Sequence, residues 1–83
     1  MNPQINGKKV SSLFPNLLAE LARLNISKIE LGKRSHICTS AIYAKFKGEH
    51  DWTLREMQAV KDVLSEGSGE ELTLDYLFKK SNH

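Results

Sequence analysis

Polar, aromatic and basic side chains recur at helical spacing between residues 39 and 47 of this 83-residue chain. If Cys38 caps a helix, Thr39 and Ser40 lie in its first turn. Tyr43 follows one turn later and Lys47 one turn after that, away from the apolar positions 42 and 46. Hydroxyl groups can hydrogen-bond to either kind of base edge, and a threonine methyl can contact a thymine methyl. The row formed by Thr39, Ser40, Tyr43 and Lys47 therefore favours contact with nucleic acid. The alternative is that these residues form an exposed polar face that serves another purpose.

Two short helices joined by a tight turn are predicted to position this row. The first contains an apolar Leu31 and a small Gly32, and a four-residue turn follows. Apolar Ile37 and Ile42 flank the start of the second helix, which is expected to end at Gly48. This spacing is typical of a helix-turn-helix, whose dominant use is to place its second helix in the major groove of duplex DNA.

Capping residues mark where the predicted helices begin. Ser27 with Glu30, and Thr53 with Glu56, have the spacing of a capping box. Pro15 suits the first position of a helix and is followed by apolar residues at helical spacing. The sequence Gly-Ser-Gly at residues 67–69 predicts a flexible break. We therefore expect five helices, which begin near Pro15, Ser27, Cys38, Thr53 and Thr73.

A family resemblance rests on four segments of the chain. They are Phe14-Pro15-Asn16-Leu17, the stretch from Ile26 to Gly48, Trp52-Thr53-Leu54, and Asp75-Tyr76-Leu77-Phe78. In this order they resemble the Cro/lambda-repressor (XRE-type) DNA-binding domain family, and most of all its small phage and prophage regulators. The similarity covers nearly all of residues 14–79, and its specificity lies in the joint spacing rather than in any single motif.

The resemblance implies a fold and a set of contacts with DNA. The fold is all-α, with five helices, of which helices 2 and 3 form the helix-turn-helix. The positions that match the family's base-reading residues are Thr39, Ser40, Tyr43 and Ala44. Lys28 stands where the family often has a glutamine bonded to phosphate, at a helix N-terminus that favours an anion. With two lysines at the end of helix 3, the predicted phosphate contacts are Lys28, Lys45 and Lys47.

Three positions depart from the family's pattern. His36 stands at a turn position usually held by glycine and is expected to adopt a positive φ, which histidine tolerates better than a β-branched residue. Ser35 replaces an apolar residue, which predicts a shorter helix 2 or thinner packing. Ile29 replaces a polar residue, so it is expected either to contact a partner or to pack beneath the N-terminal segment.

Charge is distributed unevenly along the chain. Residues 1–50 carry eight Lys or Arg and three Asp or Glu, a net charge of +5, whereas residues 51–83 carry four and seven, a net charge of −3. The basic half contains the predicted helix-turn-helix, so a polyanion is expected to bind on that side. We interpret Lys33 and Arg34 as solvated surface charges.

Length and composition narrow the class of protein. We predict one domain at residues 13–80, a flexible arm at residues 1–12 and a short tail at residues 81–83. No apolar run reaches the roughly 18 residues of a membrane span, and no signal-peptide stretch is found at the N-terminus. A single cysteine fits a reducing cytoplasm. We interpret Cys38 as a helix cap, and a redox-sensitive thiol is the alternative.

Enzymatic chemistry is not indicated. The three histidines lack partners at metal-ligand spacing, and neither a nucleophile–base pair nor a glycine-rich phosphate loop is found. We predict no catalytic residue, no metal, no cofactor and no small-molecule ligand.

The sequence thus predicts a cytoplasmic DNA-binding regulator, a phage or prophage-type repressor that binds a two-fold operator as a homodimer. The alternative is a protein-interaction module on the same scaffold, an anti-repressor or antitoxin-like partner, which would use Ile29 and the surface of helices 4 and 5. The residues favoured for the dimer contact are Leu74, Tyr76, Leu77 and Phe78, with Leu77 the one expected to be internal.

Overall fold

A computed structural model describes residues 13–81 of the chain. Within that range the secondary structure is all-helical, as expected, and five helices follow one another: α1 (Pro15–Leu24), α2 (Lys28–Ser35), α3 (Thr39–Lys47), α4 (Leu54–Ser68) and α5 (Leu74–Leu77). The predicted arm at residues 1–12 and the last two residues of the tail lie outside the described residues. Among those described, no helix combines the length and the apolar character needed to cross a bilayer.

The helices begin where the capping residues predict. Pro15 is the first residue of α1, and Cys38 precedes α3. The side chains of Ser27, Thr53 and Thr73 each accept a hydrogen bond from the backbone N–H three residues on. At α4 the capping box is complete, since the Glu56 carboxylate accepts from the N–H of Thr53 at 2.9 Å. At α2 the Glu30 carboxylate instead accepts from Arg34 at 2.9 Å. Of the two hydrogen bonds of the predicted capping box there, the structure therefore shows the one from the Glu30 N–H to the Ser27 hydroxyl.

The hydrophobic core receives side chains from every helix. Its fully buried members are Leu17 of α1, Leu31 of α2, Ile42 of α3, Val60 and Leu64 of α4, and Leu77 of α5. Each such side chain contributes roughly 1.5–3 kcal/mol when it leaves water. Because α2 and α3 each bury a residue against the same core, their relative orientation is fixed by packing as well as by the turn between them.

An aromatic cluster covers one end of this core. The Trp52 ring meets those of Phe14, Phe46 and Phe78 edge to face, with centroids 6.2, 5.5 and 5.1 Å away. The indole nitrogen is buried and has no hydrogen-bond partner within residues 13–81. The cluster joins the loop before α4 to the N-cap of α1, to α3 and to the segment after α5.

Helix α4 extends further than predicted. The expected break at residues 67–69 is wrong in part, because Gly67 and Ser68 are helical and the helix ends at Gly69, whose φ is 75°. A Cβ at Gly67 would lie 3.3 Å from Leu24, so this turn packs against α1. The Ser68 hydroxyl also accepts from the backbone N–H of Glu70 at 3.1 Å, which closes the helix end.

Helix α5 is short and is held to α1 by polar contacts. The Asn16 amide donates to the backbone oxygen of Tyr76 at 2.9 Å, and the Tyr76 hydroxyl donates to Glu20 at 2.8 Å. Glu20 is only 4% exposed and also binds Arg23. The hydrogen bond from Arg23 lowers the pKa of the Glu20 carboxyl; burial opposes this effect, and the Tyr76 hydrogen bond adds to it. This buried carboxylate was not predicted.

Candidate nucleic-acid interface

The turn between α2 and α3 closes through backbone hydrogen bonds. His36 caps α2 with φ 61° and ψ 42°, which confirms the positive φ expected from the sequence. The N–H of His36 donates to the oxygen of Lys33 at 3.3 Å, and that of Ile37 donates to the oxygen of Gly32 at 2.8 Å. The chain then reverses into Cys38, and α3 begins.

Close approach at Gly32 brings the two helices together. A Cβ at this position would lie 2.7 Å from the backbone oxygen of Ile37, a distance that real Cβ atoms do not adopt. The obstacle would be backbone, which cannot rotate aside. Glycine is therefore required by packing at this position, and it helps set how α3 is presented.

The predicted base-reading residues lie together on the outer side of α3. Thr39, Ser40 and Tyr43 are exposed, whereas Ala44 is half-buried. Ile42 is fully buried and Phe46 is 7% exposed, so the other side of the helix belongs to the core. The arrangement presents two hydroxyls and one aromatic ring, 39% exposed, to any molecule that approaches α3.

Lys28 is placed beside α3 although it belongs to α2. Its Nζ lies 5.6 Å from the centroid of the Tyr43 ring and 4.9 Å from that of the Phe46 ring. Both distances fall within the range of a cation–π interaction. Sequence spacing could not reveal this contact, because it joins side chains of two different helices.

The two lysines near the end of α3 differ in their surroundings. Lys47 is exposed. Lys45 is only 8% exposed; its Nζ lies 3.0 Å from the Glu56 carboxylate and donates to the backbone oxygen of Asp51 at 3.0 Å. The predicted phosphate contact of Lys45 stays a prediction, but its ammonium is already bound within the protein. A helical wheel gives a warning of this, since Lys45 lies about 60° from the buried Ile42.

Glu56 links the start of α4 to this lysine. Burial raises the pKa of the Glu56 carboxyl, but the backbone N–H of Thr53 and the Lys45 ammonium outweigh burial and lower it. The carboxylate thus serves two purposes, since it completes the capping box of α4 and neutralises a largely buried lysine.

Cys38 occupies the N-cap position of α3, as predicted, but its exposed side chain makes no capping hydrogen bond. The sulfur lies 3.7 Å from the Ser40 hydroxyl oxygen. The backbone N–H of Ala41, followed by the Ser40 hydroxyl, lowers the pKa of the thiol. Elsewhere in the described part of the chain, no group of three His, Cys, Asp or Glu side chains is placed to hold a metal ion.

Comparison of the chain with family models, with curated proteins and with solved structures finds no significant match. Function is therefore inferred from the geometry of α2, α3 and the turn between them.

Proposed function

We propose that this protein is a sequence-specific DNA-binding regulator that reads the major groove with α3. The observation that carries the proposal is the outer side of α3, where Thr39, Ser40 and Tyr43 are exposed opposite a buried Ile42. A short helix packed closely against the preceding one, with hydrogen-bonding groups directed outward, suits insertion into a groove about 12 Å wide.

Phosphate contacts are assigned to Lys28 and Lys47. Lys47 is exposed in the last turn of the proposed reading helix, and Lys28 is the first residue of α2, where backbone N–H groups favour an anion. The excess of basic residues in the first 50 positions supports approach of DNA to this side.

The resemblance to phage and prophage regulators extends the proposal to a cytoplasmic repressor that occludes a promoter. One helix of this size contacts only a few base pairs, too few to specify a genomic site. We therefore propose a homodimer on half-sites about 34 Å apart.

Residues of α5 are the proposed dimer contact, but fewer of them are available than the sequence suggests. Leu77 is fully buried, which confirms that it is internal, and Phe78 packs into the aromatic cluster. Leu74 and Tyr76 retain exposed surface. Substitution of Leu74→Glu, followed by light scattering and operator titration, tests this contact without removing Leu77 from the core.

The test of DNA binding is selection of a site from random duplexes, followed by titration at several salt concentrations. We expect affinity to fall steeply as salt rises, and Lys47→Ala to reduce the salt slope by about one unit on every sequence. Lys33→Ala is the matched control, because it removes the same charge from an exposed position outside the proposed contact. Absence of salt-sensitive binding to any selected duplex would overturn the proposal.

In that event the alternative, a protein-interaction module, gains support from Ile29. This side chain is 44% exposed on α2 and does not pack into the core of the described residues.

A further inference from the structure

The ammonium of Lys28 connects a buried ring of α3 to an exposed one. Phe46 is 7% exposed and belongs to the core, whereas Tyr43, three residues earlier, is 39% exposed on the proposed reading surface. Lys28 Nζ lies within 6 Å of both ring centroids, at 4.9 and 5.6 Å. A single charge on α2 therefore contacts a fixed ring and a ring that has room to move.

This arrangement restricts the orientation of Tyr43. The ring quadrupole attracts a cation, and rotation of the ring away from Lys28 would lose that attraction. Phe46 holds the ammonium from the core side, and Lys28 itself is half-buried, so the charge does not simply follow the tyrosine. Without the charge, other staggered rotamers of Tyr43 become accessible on the exposed side of α3.

We propose that Lys28 is a positioning residue that determines the base preference of Tyr43, an inference that rests on the proposed function. A lysine that only neutralises a phosphate changes affinity about equally for all sequences. A lysine that orients a base-contacting ring instead changes which bases are preferred at the DNA positions that the ring contacts. The two roles therefore differ in a property that can be measured.

The experiment is site selection from random duplex DNA with the wild-type protein, Lys28→Met, Lys28→Arg and Lys47→Met. Methionine retains an unbranched stem over Phe46 and removes the charge, whereas arginine retains a cation that can stack on a ring. We expect Lys28→Met to weaken base preference about two- to fivefold at the positions that Tyr43→Ala also alters. Lys28→Arg should retain that preference, and Lys47→Met should lower affinity with the motif unchanged.

A double substitution tests whether the effect passes through the ring. In the Tyr43→Ala background, Lys28→Met should cause no further change in base preference, because the ring that it positions is gone. Without DNA, the side-chain methylene protons of Lys28 should show upfield ring-current shifts in NMR spectra, and Tyr43→Ala should reduce them. Circular dichroism of each variant establishes that the helices remain folded.

Failure of this inference is distinguishable from failure of the proposed function. If the wild-type protein selects a motif and Lys28→Met selects the same motif at uniformly lower affinity, Lys28 is only a phosphate contact and the inference alone is overturned. If Lys28→Arg behaves like Lys28→Met, the charge is not what positions the ring, and the inference is again overturned. If the wild-type protein selects no motif, both proposals are overturned.

Discussion

Gly32 and Gly67 both lie inside helices, but their neighbours differ. A Cβ at Gly32 would meet the backbone oxygen of Ile37 at 2.7 Å, whereas a Cβ at Gly67 would meet the flexible side chain of Leu24 at 3.3 Å. Backbone between two packed helices cannot yield without moving α3, but a leucine side chain can adjust by a small rotation. The same substitution should therefore have opposite effects at the two positions.

We expect Gly32→Ala to destabilise the protein by about 1–3 kcal/mol through overpacking. Gly67→Ala should stabilise it by about 0.5–1 kcal/mol, because alanine favours the helical backbone. Urea denaturation of both variants measures the two changes. A Gly32→Ala variant as stable as the wild type would contradict the close approach of α2 and α3.

Tyr43 and Ser40 offer the most direct test of base reading at single residues. Both side chains are exposed, so neither alanine substitution should unfold the protein. Each lost base contact should reduce discrimination by ~1–3 kcal/mol at the operator positions it reaches. Site selection with each variant measures this, and an unchanged motif from both would show that α3 does not read the bases.

At the level of the helices, the first residue of each helix was predictable from the sequence, whereas the last residue of α4 and some contacts between helices were not. Ser27, Thr53 and Thr73 act on backbone groups three residues away, so a short window of sequence contains the whole interaction. The last turn of α4, where the sequence predicts a break, packs Gly67 against Leu24, 43 positions earlier in the chain. Local propensity cannot include a neighbour so distant.

The candidate site shows the same division. Exposure of the first turn of α3 followed from its periodicity, because Ile42 and Phe46 identify the buried side. The partners of the Lys28 and Lys45 ammonium groups did not follow, since each ammonium contacts a helix other than its own. Long flexible side chains reach partners that helical spacing does not specify.

The contact between Lys45 of α3 and Glu56 of α4 makes a prediction for these two helices. Lys45→Met should cost about 1–3 kcal/mol, because it leaves a partly buried carboxylate without its cation. The pKa of Glu56 is lowered from 4.5, so its contribution to stability is present above pH 4.5 and is lost as pH falls through the folded-state value. Between neutral and acidic pH, the free energy of unfolding should fall less in Lys45→Met than in the wild type, which urea denaturation at each pH would measure.

The same variant also tests whether Lys45 contacts a phosphate. Where Lys45→Met remains folded, its salt slope for DNA binding should equal that of the wild type, with Lys47→Met as the matched comparison. A slope lowered by about one unit would instead mean that Lys45 contacts a phosphate.

Considered as a whole, the molecule is closed by the attachment of its C-terminal segment to α1. Tyr76 donates to the buried Glu20, and the N–H of Ser81 donates to the oxygen of Leu13 at 3.0 Å. The pKa of Glu20 is lowered from 4.5. The hydrogen bond between Tyr76 and Glu20 raises the pKa of Tyr76 from 10.0. The interaction therefore stabilises the fold fully between these two pH values.

We expect Tyr76→Phe to lower the free energy of unfolding by about 1 kcal/mol at neutral pH. In the wild type, the contribution of Tyr76 is present below pH 10.0 and is lost as pH rises through the higher folded-state pKa. The variant should lack this alkaline decline, which urea midpoints on both sides of pH 10.0 would measure. An identical decline in both proteins would exclude Tyr76 as its source.

Trp52 gives the molecule an intrinsic optical probe. It is the only tryptophan of the chain, and its indole nitrogen is buried beneath the rings of Phe14 before α1, Phe46 of α3 and Phe78 after α5. Folded protein should therefore fluoresce at shorter wavelength than unfolded protein, in which water reaches the indole. Because that enclosure requires both ends of the described chain to be in place, the emission maximum reports loosening of either end without an added label.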